Sequence, residues 1–241
     1  MSIFLTLAYL FFIGSTLGWV LELLYRNLTH KPEKLVNPGF CTGPWLPIYG
    51  FGLCVLFLLA MLDRYPLTGN PFWNKVLQFL AMAVCMTLIE YLAGLFCLKF
   101  LKVRLWDYSD LWGNVQGIIC PAFSLAWAVL GAVYYFLIHP YILDGLRWLS
   151  QNLAFSFVIG MFFGVFFVDV AHSANLVVKL KAFAEDNDVI VRYEQLKTHI
   201  RAAREKSHAT YHFFRPFRSE RPLAEHLKEM QETFEQRIRR K

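Results

Sequence analysis

The chain of 241 residues is 56% hydrophobic and 17% aromatic, with 17% charged residues and a mean hydropathy of +0.40. That composition excludes an ordinary soluble domain and a disordered chain, and suits a polytopic membrane protein whose apolar surface lies in lipid. The formal net charge of +6 is unevenly placed, since fifteen of the 24 Lys and Arg follow Leu176.

Crossing about 30 Å of hydrocarbon takes about 20 apolar residues, and the pattern predicts five spans. The first runs from about Ile3 to Tyr25. It has no basic leader region and no small-residue cleavage site, so it reads as a span rather than a secretory signal. Gly14 and Gly18 give it a GxxxG pair, which favours close helix packing. The stretch Asn37 to Gly52, NPGFCTGPWLPIYGFG, follows. Gly39, Gly43, Gly50 and Gly52 open backbone conformations closed to other residues, and Pro38, Pro44 and Pro47 each remove a donor. Non-helical backbone at membrane depth survives only where it is buried in protein or lines a wet cavity, so this stretch is the first candidate for a binding site.

Span two covers roughly Pro47 to Leu62, and the link Asp63 to Asn74 turns on Pro66, Gly69, Asn70 and Pro71. Span three is about Lys75 to Phe100. A polar and aromatic segment, LKVRLWDYSDLWGNVQG, precedes span four, about Ile118 to Ile138, and His139 to Ser150 is a short link. Span five, about Leu153 to Val170, carries a second GxxxG pair at Gly160 and Gly164 and is expected to continue as helix beyond the membrane. From Leu176 to Ala203, and again from Leu223 to Ile238, apolar residues recur at three- and four-residue steps, predicting two amphipathic helices. Between them HATYHFFRPFRSERP, His208 to Pro222, interleaves Arg with aromatics. Beside a span this suits an anionic membrane surface better than nucleic acid, so membrane lipids are the expected partner there and no nucleic acid is implied. The sequence thus divides into a five-span domain over residues 1–173 and an amphipathic helical tail over 174–241.

Basic residues set the expected orientation. With the C-terminal segment cytoplasmic, the first link (Arg26, Lys31, Lys34) and the third (Lys99, Lys102, Arg104) also fall inside, and only Arg64, Lys75 and Arg147 fall outside. The N-terminus is then outside, the tail cytoplasmic, and the whole an all-α, multi-pass protein of a bacterial cytoplasmic membrane.

Four polar constellations lie toward the cytoplasmic side of this topology. In GWVLELLYR, Trp19, Glu22 and Arg26 share one helix face at three- and four-residue spacing. Glu90, in CMTLIEYLAGLF, has no basic residue within a helical turn; a carboxylate at mid-span is a site by default, as a proton-coupling group or a hydrogen-bond donor. RLWDYSDLWGN places Arg104, Trp106, Asp107, Tyr108, Ser109 and Asn114 in eleven residues, more polar groups than a headgroup belt requires. Asp169 and His172 lie three apart on one face, but without an HExxH motif they assign no metal site. With Asn37 and Tyr49 from the Gly/Pro stretch, the expected substrate-binding set is Trp19, Glu22, Arg26, Asn37, Tyr49, Glu90, Arg104, Trp106, Asp107, Tyr108 and Asn114.

Absent motifs narrow the chemistry. No GxxxxGK[ST] loop is present, so any ATP drive would come from a separate ATPase subunit. No GxSxG or CxxC pair appears, no catalytic residue or cofactor is implied, and five scattered cysteines read as reduced thiols.

GWVLELLYR, NPGFCTGPWLPIYGFG, EYLAG (Glu90 to Gly94), RLWDYSDLWGN and GIICPAFSLAW (Gly117 to Trp127) together resemble the CmpB-like group of bacterial membrane proteins, ABC-transporter permeases of type IV. The resemblance covers about residues 10 to 135. It departs at Pro38, where the NRGF form of the pattern has Arg, and at Pro121, where Leu is usual. It implies a transporter. The leading expectation is a membrane transport component with a cytoplasm-facing polar cavity for a small substrate. The alternatives are an intramembrane enzyme acting on a lipid or isoprenoid, with Glu22, Glu90 and Asp107 as acid and base, and a scaffold that recruits a partner through its basic tail. Two GxxxG pairs also allow a homodimer.

Overall fold

The computed structural model describes residues 2–30, 36–65, 68–206 and 222–239, apart from the side chains of 29, 30, 64, 205, 206 and 233–239. The segment 207–221, which holds most of the Arg-and-aromatic run, lies outside the described residues, as do Lys31, Lys34, Pro66, His208 and His212.

The helices are α1 (Ile3–His30), α2 (Pro47–Met61), α3 (Pro71–Phe100), α4 (Pro121–Val133), α5 (His139–Gln151), α6 (Ser156–Asp186), α7 (Tyr193–Lys206) and α8 (Leu223–Arg239). Three start on a proline, which suits the first turn because its missing N–H has no intrahelical partner there. Asn70 caps α3 by accepting from Phe72 N across 2.9 Å, so this helix begins at Pro71 rather than at Lys75 as expected. The expected link His139 to Ser150 is also helical. A π-helical turn at Tyr134–Ile138 joins α4 to α5, widening the ladder just ahead of Pro140, whose ring cannot fit a regular α turn.

Among the described residues, four segments are long and apolar enough to cross a membrane: Ile3–Leu28, Pro71–Phe100, Pro121–Gln151 and Leu153–Asp186. Large apolar side chains face outward along them, with Phe4 and Leu28 79% and 76% exposed, a surface that lipid solvates and water does not. The chain is therefore an all-α, multi-pass membrane protein. The fifth expected span, α2, has 15 residues, so at about 1.5 Å per residue it falls short of about 30 Å of hydrocarbon.

Helix α2 runs antiparallel on α1, and glycines let the backbones meet. A Cβ on Gly18 would lie 2.3 Å from Tyr49 Cβ, and one on Gly50 would lie 2.8 Å from the Phe11 carbonyl. The first GxxxG pair is thus spent within the chain, while nothing lies within 4 Å of a Cβ built on Gly160 or Gly164. One core joins Leu10, Leu56, Phe57, Met82, Met86 and Trp127 across α1 to α4, and a second joins Phe11, Cys41 and Trp45 to Phe162 and Phe166 of α6. All five cysteines are free thiols.

The C-terminal region departs from the two-helix expectation. The periodic stretch after Leu176 breaks after Asp186, with Asp188 at φ +48°, and resumes as α7. At the break, β2 (Val191–Arg192) pairs in parallel with β1 (Val103–Arg104). Val103, Val177, Leu180, Val191, Leu196, Ile200 and Leu227 form a third core there, which fixes the polar segment after α3 against α6, α7 and α8. Helix α6 runs unbroken through residues 173 and 174.

Candidate functional site

The Gly/Pro stretch is non-helical from Val36 to Leu46, and Leu46 N donates to the Ser15 carbonyl, thirteen residues into the first long apolar segment. Its polar groups are met by side chains from three helices. The Asp169 carboxylate of α6 accepts from Thr42 N at 3.1 Å, Gly43 N at 2.9 Å, Trp45 Nε1 at 2.8 Å and the Thr42 hydroxyl. From α1, Trp19 Nε1 donates to Asn37 Oδ1 at 2.7 Å, and Asn37 Nδ2 donates to the Thr42 carbonyl at 2.8 Å. From α7, Lys197 Nζ donates to the carbonyls of Asn37 and Gly39 at 2.9 and 2.7 Å, and Tyr193 OH donates to that of Phe40 at 3.1 Å. Irregular backbone is stable at this depth because these donors and acceptors replace water. Burial lowers the pKa of the Lys197 ammonium, and the Glu194 carboxylate beside it opposes that shift.

An ion-pair chain runs from this clamp into α1. Lys197 Nζ meets Glu194 Oε1 at 3.1 Å, Glu194 Oε2 meets Arg26 Nη1 at 3.0 Å, Arg26 Nε meets Glu22 Oε1 at 2.9 Å, and Tyr49 OH donates to Glu22 Oε2 at 3.2 Å. Beyond Tyr49 lie Trp127, with ring centroids 5.1 Å apart, and then Glu90. Tyr108 OH donates to Glu90 Oε1 at 3.1 Å while its ring stacks on Phe123 at 4.3 Å. Burial, with Glu90 alongside, raises the Tyr108 phenol far above its usual range and keeps it a donor. The Trp127 indole N–H is directed at Glu90 as a second donor, while buried Glu90 Oε2 has no hydrogen bond of regular geometry among the described residues.

The segment after α3 is held by its own polar groups. Arg104 Nη1 donates to Asp107 Oδ1 at 2.9 Å, Ser109 Oγ at 3.2 Å and the Gln116 carbonyl at 3.2 Å. Ser109 donates to Asp107 through both its amide and its hydroxyl, and Arg192 Nε lies 3.6 Å from Asp107 Oδ2. Partial burial acts to raise the Asp107 pKa, but the Ser109 donors and the two guanidinium charges outweigh it and hold the carboxyl below the usual carboxylate range. Gly117, at φ +67°, lets this loop close, since a Cβ there would lie 2.2 Å from Arg104 Nη1. Asn114 donates to the Ser109 and Leu111 carbonyls, and Trp106 Nε1 to that of Ile118.

The eleven expected residues thus fall into three groups. Glu22, Arg26 and Tyr49 share one hydrogen-bonded chain, and Glu90 and Tyr108 pair beside it, with Glu90 close enough for its charge to act on Tyr49; Trp19 and Asn37 brace the Gly/Pro loop; Arg104, Trp106, Asp107 and Asn114 brace the loop after α3. Asp169 and His172 do not act as a pair, since Asp169 turns inward to the loop and His172 is exposed. The sequence reading passed over Thr42, Trp45, Glu194 and Lys197. Lys197 carried a signal, because it sits on the apolar face set by Tyr193, Leu196 and Ile200. A cavity of about 710 Å³ lies apart from the network, bordered by Arg104, Arg192, His199, Leu227 and Met230.

No curated protein and no solved structure matches this chain. A family model does: residues 9–174 match the family ABC_trans_CmpB, described as "Putative ABC-transporter type IV". The match takes in the Gly/Pro loop, Glu22, Arg26, Glu90, Tyr108 and Asp169, and ends before α7 and α8, so the chain belongs to this family.

Proposed function

We propose that the chain is a membrane transport component whose working site is the network of Glu22, Arg26, Tyr49, Glu90 and Tyr108. The observation that carries this reading is the buried Glu90 oxygen left without a hydrogen bond of regular geometry, beside a chain that already holds a second carboxylate. A buried carboxylate oxygen left open costs free energy unless a proton or a ligand group meets it, so it suits a site that takes up and gives back a cation, a proton or a substrate donor. Ionisable groups beside irregular backbone, buried among several helices, are the usual makings of a transport site. Asp107 is less suited to acid–base chemistry on a lipid, because Ser109, Arg104 and Arg192 already occupy it.

In this reading α2 and the extended residues before it make up a fifth crossing, residues 1–173 form the membrane domain, and 174–241 form a cytoplasmic tail. The charge bias supports an outside N-terminus in a bacterial cytoplasmic membrane. A reporter fused after Ser2 is expected outside, and a cytoplasmic signal would reverse the orientation. A separate ATPase subunit supplies the energy, in keeping with the family and with the missing phosphate-binding loop. Lipid contacts the tail, and a homodimer through small residues would use Gly160 and Gly164, the pair left open.

The test uses membrane vesicles from the native host, which keep any partner subunit, with an isotope-labelled small-molecule extract and mass spectrometry. Vesicles with the chain are expected to accumulate or expel particular solutes, and Glu90→Gln to abolish the difference. Equal solute profiles with and without the chain would overturn transport; an unchanged profile in Glu90→Gln would remove Glu90 from it.

A further inference from the structure

The tail contains a constellation that transport through the membrane helices does not use. His199 of α7 faces His226 and Glu229 of α8. The imidazole ring centroids lie 5.7 Å apart with the planes at 79°, and His199 Nε2 is 3.3 Å from Glu229 Oε2. One ligating atom from each of the three residues lies within 4.8 Å of the other two. His226 and Glu229 are three apart, so a single turn of α8 presents both toward α7.

Two further observations fit a bound ion. His226 is 1% exposed, next in the chain to Leu227, which joins Leu196 and Ile200 in the third core and so docks this turn of α8 on α7. On the open side, His199 borders the cavity of about 710 Å³, giving an ion a way in and room for a fourth ligand. Four ligands placed tetrahedrally at about 2.1 Å from an ion sit roughly 3.4 Å from one another. Rotating the Glu229 side chain, which is 46% exposed, closes the remaining distance.

We propose that His199, His226 and Glu229 bind a divalent transition-metal ion, Zn2+ by its ligand preference, with the fourth position open to the cavity. Two imidazoles and one carboxylate suit zinc, whereas magnesium and calcium take oxygen ligands. The ion ties α8 to α7. Because α7 also carries Glu194 and Lys197, the tie bears on the helix that clamps the Gly/Pro loop and pairs with Arg26. The site stands independently of the transport reading.

The test takes purified full-length protein in detergent, stripped of metal, and titrates it with Zn2+ against a chromophoric chelator. X-ray absorption then reads the ligands of the one-to-one complex. One site per chain is expected, with nitrogen and oxygen ligands that include two imidazoles and no sulfur. His199→Gln and Glu229→Gln, both at partly exposed positions, are each expected to weaken binding at least tenfold while the helical circular-dichroism signal stays the same. Absence of a one-to-one site, a sulfur ligand from any of the five cysteines, or wild-type affinity in either variant would overturn the proposal. Wild-type affinity in both variants would overturn it and assign the ion to other groups.

Discussion

Trp45 donates its indole N–H to the carboxylate of Asp169 across 2.8 Å, joining two residues 124 positions apart. Together with the Thr42 and Gly43 amides, this contact fixes a non-helical loop to the side of α6. A carboxylate suits the task because it offers only acceptors, and every polar group facing it is a donor.

Asp169→Asn keeps the shape but turns one acceptor into an NH2 group facing donors. The loss is expected to be about 3 kcal/mol, in the range for hydrogen bonds to a buried charge plus a donor left unpaired. Unfolding by SDS in mixed micelles measures it, and stability equal to wild type would mean that the loop is held by its apolar contacts alone.

Lys197 is buried against Glu194 and two loop carbonyls. Lys197→Met strands those acceptors and is expected to cost about 3–5 kcal/mol. Adding Glu194→Gln removes the carboxylate that Lys197 no longer meets and that Arg26 alone then faces, so the double variant is expected to be less impaired than the sum of the singles by about 1 kcal/mol or more. Strict additivity in the same unfolding assay would deny the coupling.

Gly18 and Gly160 have opposite surroundings although both belong to GxxxG pairs. Gly18→Ala drives a methyl into Tyr49 and is expected to cost about 1–3 kcal/mol and to loosen the Tyr49 contact with Glu22. Gly160→Ala meets open space and is expected to be neutral or to stabilise by up to about 1 kcal/mol through helix propensity. The reverse order of melting temperatures in detergent would contradict the α1–α2 packing.

Asp107 predicts an acid limb of stability. Its folded pKa lies below the ordinary 3.8, so the folded state binds fewer protons than the unfolded state in that window. The stabilisation is complete above the ordinary value and is lost as pH falls through the lower folded value. Wild type is expected to lose its advantage over Asp107→Asn only below about pH 4. A difference that is constant from neutral pH down to about pH 2 would show that the carboxylate charge contributes nothing.

Much of the fold was legible in the chain. Apolar runs located α1, α3, α4 and α6, because a membrane helix must be apolar along its length whatever its neighbours. Gly14 and Gly18 signalled a close contact, and the Gly/Pro run signalled non-helical backbone, correctly up to Leu46. The expected link His139 to Ser150 proved to be α5, a π turn absorbing Pro140 at its start. The break at Asp188 was missed because the apolar period persists on both sides of it.

Burial in lipid is a property of each residue and adds up along a run, so the membrane-protein character of this chain follows from its order of residues alone. The polar pairings do not. Glu22 could be foreseen beside Arg26, one helical turn away, but Glu194 lies 168 residues from Arg26, and Asp169 lies 124 from Trp45. Such partners are selected by which buried donors and acceptors the packed helices bring within hydrogen-bond reach, and no local pattern records that. Folding therefore made Asp169 the anchor of the loop, made Lys197 its second clamp, and left one Glu90 oxygen without a hydrogen bond of regular geometry among the described residues.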